Sequence, residues 1–71
     1  MILEELLREY NHKINNVKLF YIENDFAIYI GYLGSLLAHK YFNLYKNDIV
    51  IDFKLDEEKD CLEIFLKPAR K

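Results

Sequence analysis

The sequence predicts one small α+β domain with helices packed on an antiparallel four-stranded sheet. Three observations carry that expectation. Residues 2–14 hold an apolar stripe at helical spacing, and residues 48–67 hold two alternating apolar runs joined by a charged turn. The chain has 71 residues, of which 52% are hydrophobic. A chain this short buries only roughly 60% of its unfolded surface, so it makes a single domain and needs its large apolar groups in one dense core.

In the first segment, Leu3, Leu6, Leu7, Tyr10 and Ile14 share one helical face. Glu4 and Glu5 open the helix and Lys13 lies near its end, as the helix dipole favours. Asn15 and Asn16 stop it. The next run, "VKLFYI" at 17–22, alternates Val17, Leu19 and Tyr21 with Lys18, Phe20 and Ile22. Both faces are largely apolar, which marks a central strand.

The last unit is a hairpin in which "DIVIDFKL" and "DCLEIFLK" flank "DEEK". Pairing Leu55 with Asp60 sets Phe53 against Leu62, Ile51 against Ile64 and Ile49 against Leu66, all on the core face. That register also sets Asp52 directly across from Glu63, a like-charge pair. The tail from Pro68 to residue 71 leaves the sheet and is expected to fray.

Between these units lies "NDFAIYIGYLGSLLAHKYFNLYKND", residues 24–48, with both glycines and six of the eleven aromatics. "FAIYIGYL" favours strand, and "END" turns the chain back from "VKLFYI". Ser35 then caps a helix over 36–46 with the stripes Leu37, Tyr41, Leu44 and Ala38, Phe42, Tyr45. The order is α-β-β-α-β-β. The rival reading makes 25–33 a helix capped by Asp25 and a second helix after the glycines, giving α-β-α-α-β-β. Beta propensity favours the first order.

Composition narrows the function. The net charge of −2 argues against a general nucleic-acid binder. The uncharged run 26–39 has 14 residues, short of the ~20 that a membrane span needs. The acidic start of helix 1 argues against a membrane-surface helix and a secretory signal. Cys61 is the only cysteine, so it forms no internal disulfide or cysteine-based zinc site and suits a reducing, cytoplasmic setting. The chain reads as a complete short gene product of AT-rich coding DNA. His12 and His39 have no triad or metal spacing, and acids beside Cys61 raise its thiol pKa. A carboxylate pair at Asp52 and Glu63 has no third ligand in view. The expectation is a protein without enzymatic activity, cofactor or metal.

Gly31-Tyr32-Leu33-Gly34 is a G-x-x-G tetrapeptide, followed about fifteen residues later by "IVIDF" and another strand. Over 17–66 this layout resembles the KH single-stranded nucleic-acid domain, whose GXXG loop between two helices clamps the backbone of about four nucleotides. The resemblance implies a nucleic-acid site at Gly31, Tyr32, Leu33, Gly34 and Lys40. The two middle positions, Tyr32 and Leu33, offer phosphates no basic group.

A third pattern is acidic. Residues 48–63 carry seven acids against two lysines, a local ridge on a nearly neutral protein. Such a ridge suits a basic partner groove, though it equally protects a sheet edge. "ILEELLREY…VKL" resembles the opening of small phage-encoded Cas9 inhibitors over residues 2–10 and 17–19. The leading expectation is a small interaction module that binds another macromolecule, for example a phage or mobile-element protein that inhibits a host nucleic-acid enzyme. Its contact residues would be Asp52, Asp56, Glu57, Glu58, Asp60, Glu63 and Phe65, with the surplus tyrosines Tyr32, Tyr41 and Tyr45. The other two classes are the KH-like binder and a homodimer that buries excess apolar surface.

Overall fold

A computed structural model describes residues 1–23, 27–40 and 42–69 of the chain. Its elements run α1 (Leu3–Tyr10), β1 (Asn16–Tyr21), β2 (Ala27–Tyr32), α2 (Leu33–Ala38), α3 (Phe42–Tyr45), β3 (Ile49–Asp56) and β4 (Cys61–Lys67). One four-stranded sheet has the order β2-β1-β4-β3.

The expected α+β class stands, but the sheet is mixed rather than antiparallel. Each hairpin is antiparallel inside itself, and the two join through a parallel β1–β4 pair. The cause is the crossover. From β2 at one edge, α2 and α3 carry the chain to the far edge, where β3 starts, and β4 returns beside β1. Two central strands with apolar rows then meet: Val17 and Leu19 beside Leu62 and Ile64, all fully buried.

Helix α1 is shorter than the expected 2–14. It ends at Tyr10, and His12 takes a left-handed φ of 68°. The amides of Lys13 and Ile14 close a turn onto the Tyr10 carbonyl, and Ile14 still reaches the core. At the other end, Leu3 N–H donates to the Asp48 carbonyl and Glu4 N–H to that of Lys46, each at 2.9 Å. Two of the orphan amides of the first turn are thus satisfied by the chain entering β3. Glu5 reaches back to the Ile2 amide at 3.0 Å.

Residues 27–32 are strand, so the α-β-α-α-β-β order does not hold. The single helix over 36–46 does not form either. Ser35 lies inside α2 instead of capping it, and the Tyr32–Leu33 junction starts the helix. His39 adopts extended angles and splits the segment. The split lets Leu33, Leu36 and Phe42 all enter the same core. His, Tyr, Phe and Asn around it are middling helix formers that do not resist the break.

The second hairpin differs in register. Leu55 pairs with Leu62 and Phe53 with Ile64, a shift of two residues that keeps the side chains from Asp52 to Leu55 on their expected faces, whereas beyond the bulge Val50 takes the core face expected of Ile49. Asp60 joins the turn with a left-handed φ of 51°, which lengthens the loop to Glu57–Asp60. A bulge between Val50 and Asp52 then pairs Val50 with Leu66 and Ile49 with Lys67. Glu63 therefore faces Lys54, and Asp52 faces Phe65. The expected Asp52–Glu63 like-charge pair is absent. At the tail, Ala69 N–H is held by Asp48 at 3.2 Å.

Candidate functional site

Strand β3 forms one edge of the sheet, and here the apolar pattern meets solvent. Ile49, Ile51, Phe53 and Leu55 are 40%, 50%, 37% and 41% exposed. Helix α1 spends Leu3, Leu6 and Leu7 on complete burial, and the ring of its Tyr10 meets Phe53 edge-on at 6.2 Å. The sequence pattern assigns these four residues to the core. Their face is right for Phe53 and Leu55, but the helix layer does not cover them.

The ladder shows which backbone groups point outward. Asn16 N–H donates to the Asp60 carbonyl at 3.1 Å and Ile22 N–H to that of Leu66 at 3.0 Å. In β4, then, even-numbered residues turn their backbone to β1, and Cys61, Glu63 and Phe65 turn theirs to β3. Opposite those three stand Asp56, Lys54 and Asp52. The alternate residues Phe53 and Leu55 turn N–H and C=O to the open edge. Accordingly, Phe53 N–H donates to the Asp52 carboxylate at 2.8 Å. At the start of β3, Val50 N–H donates to the Met1 carbonyl and Ile2 bridges Ile49, so the uncovered edge runs from residue 51 to 56.

The expected acidic ridge divides into parts. Asp52 lies on the open edge, and Glu57 and Glu58 are exposed at the tip. Asp56 accepts from Lys59 N–H at 3.1 Å and shapes the turn. Asp60 is taken up by the fold: its carboxylate accepts from Asn15 N–H and, at 2.6 Å, from Asn15 Nδ2. Glu63 and Phe65 lie on the face of the sheet opposite the helices, half-buried. Asp48, which the sequence presents only as one more charge, is buried and accepts from the Tyr21 hydroxyl at 2.6 Å. Its only sequence signal is its position at the mouth of an apolar strand.

On that uncovered face, Phe20 and Phe65 stack at 5.4 Å with an interplanar angle of 18°. One face of each ring is turned to the other, and Lys54 Nζ sits 6.0 Å from the Phe65 ring. Beside them, a hollow of about 300 Å³ is lined by Lys18, Ile30, Asp56, Cys61 and Glu63, among others. Burial pushes the Cys61 thiol above its usual pKa, with Lys18 opposing and Glu63 adding to the rise. A thiol so placed stays protonated and is a poor nucleophile.

The G-x-x-G residues do not form a loop between two helices. Gly31 lies in β2, Gly34 in α2, and Leu33 between them is buried. Gly31 makes room for Tyr29: a Cβ there would stand 2.9 Å from the Tyr29 hydroxyl, which itself donates to the Tyr32 carbonyl. Lys40 is exposed between α2 and α3. Of the tyrosines, Tyr32 is exposed on β2, and Tyr45 packs on the core with its ring edge-on to Tyr21 at 6.3 Å. Tyr41 lies outside the described residues.

Among the described residues, no group of three or more His, Cys, Asp or Glu is placed to hold a metal ion, and no helix is long and apolar enough to cross a membrane. No protein-family model matches the chain, and the comparisons with curated proteins and with solved structures find no match.

Proposed function

We propose that this protein is a non-enzymatic interaction module that binds another protein chain through the outer edge of β3. One observation carries the reading: an edge strand with outward amides at Phe53 and Leu55 and four large, partly exposed apolar side chains. Such an edge is a template for a further strand. Main-chain hydrogen bonds supply the attachment, and the alternating side chains supply selectivity. The exposed acids Glu57 and Glu58 follow the same strand and add a negative rim beside it.

Nucleic acid is the weaker occupant. The G-x-x-G residues support a strand–helix junction rather than a loop between two helices, and Phe20 and Phe65 each turn one ring face to the other. An affinity capture with and without nuclease tests the reading, using wild type and an Ile51→Lys/Leu55→Lys variant. A protein retained by wild type regardless of nuclease and lost by the variant is expected. Nucleic acid retained equally by both forms would end the proposal.

A further inference from the structure

We propose that the occupant of the β3 edge is a second copy of this chain, paired antiparallel about a two-fold axis through Phe53. This rests on the reading of that edge as the contact surface and adds the partner and the register.

Symmetry and charge choose among axes at the middle of the open edge, residues 52 to 54. A two-fold axis perpendicular to the sheet keeps the helices of both copies on one side, so residues that share a face must meet. The axis therefore passes through a residue of β3. An axis at Asp52 sets that carboxylate against its own copy. An axis at Lys54 sets ammonium against ammonium and Asp52 against Asp56. Like charges directly opposite are unfavourable. An axis at Phe53 sets Asp52 against Lys54 of the second copy, and Lys54 against its Asp52. It also brings Phe53 against Phe53, with Leu55 of each copy two residues along the same face. These apolar residues are among the large ones that the monomer leaves exposed.

The backbone agrees with this choice. Phe53 turns both N–H and C=O outward, so two copies exchange a reciprocal pair of hydrogen bonds at the axis. In the monomer, the Asp52 carboxylate occupies that amide at 2.8 Å. On pairing, the Phe53 carbonyl of the second copy takes its place, and Asp52 turns to Lys54. The carboxylate thus blunts the edge in the single chain and becomes a cross-strand partner in the pair. The result is a two-fold dimer with one continuous eight-stranded sheet that uses both β3 edges and keeps β2 at each end.

The test is mass by light scattering from micromolar to millimolar concentration. Wild type is expected to rise from 8.6 kDa to twice that mass and stop. Asp52→Lys alone sets two ammonium groups together across the axis, and Lys54→Asp alone sets two carboxylates together, so each variant stays monomeric. Mixed in equal amounts, they form a heterodimer, because each supplies the charge that the other lacks. Circular dichroism confirms that each variant is folded. Should Lys54→Asp fail to fold beside Glu63, amide exchange in wild type decides: protection at Phe53 and Leu55 must grow with concentration. A mass fixed at 8.6 kDa, a mass that climbs past the dimer, or a mixture that stays monomeric overturns the proposal. A monomeric wild type whose captured protein is lost on Ile51→Lys/Leu55→Lys would end the two-fold pairing and leave the interaction-module reading standing.

Discussion

Strands β3 and β4 carry nearly the same pattern of alternating large apolar residues, and the fold treats them differently. In β4, Leu62, Ile64 and Leu66 are fully buried, and even Cys61 on the opposite face is nearly so. In β3, Phe53 and Leu55, which pair with Ile64 and Leu62, stay partly in solvent, as do Ile49 and Ile51. The two strands are antiparallel neighbours, so neither composition nor strand propensity separates them. Position does: β4 has a strand on both sides, and β3 has one on its inner side alone. Alternation marks a face that prefers cover. Whether the cover arrives depends on the width of the helix layer above.

The largest expected effect tests this contrast directly. Ile64→Ala empties a fully buried site and should cost about 2–5 kcal/mol, whereas Phe53→Ala across the ladder should cost about 1 kcal/mol. Urea midpoints for the two variants measure the difference, and equal losses would show that β3 is as covered as β4. Next comes the anchored end of β3. Tyr21→Phe removes a hydroxyl donor from the buried Asp48 carboxylate and should cost about 1.5–3 kcal/mol by the same assay.

A smaller effect reads the burial of β4 on its uncovered face. Burial raises the folded Cys61 pKa above its unfolded value, so the native state holds that proton to higher pH. The resulting stability is fully present below the unfolded thiol pKa of about 8.5 and is lost as pH rises through the folded value. The difference in unfolding free energy between wild type and Cys61→Ala should stay flat to about pH 8.5 and then fall. A flat difference throughout would mean that Cys61 is wetter than its position indicates. The smallest effect is the control. Arg8→Ala breaks an exposed 3.5 Å pair with Glu4 and should move stability by less than about 0.5 kcal/mol.

Local pattern gave away a good part of this fold. The stripe Leu3, Leu6, Leu7, the alternation of Val17 and Leu19, and the facing of Leu62, Ile64 and Leu66 are all as their spacing requires. The hairpin register was less legible. Asp60 has two readings, strand end or left-handed turn residue, and its hydrogen bonds to Asn15, 45 positions away, decide for the turn. The same is true of the break at His39, which only the need to bury both Leu36 and Phe42 requires. As for the site, the acids Asp52, Glu57 and Glu58 were visible as charge, while the open apolar row beside them was not.

The sequence by itself determined the two hairpins, the first helix and the core face of α1, β1 and β4, because those follow from spacing along a few residues of chain. The tertiary structure decided the parallel β1–β4 join and the exposure of β3. Both depend on where the crossover through α2 and α3 delivers the second hairpin. An eight-residue α1 and two short helices bury the rows of β1 and β4 and leave Ile49, Ile51, Phe53 and Leu55 of β3 partly in solvent.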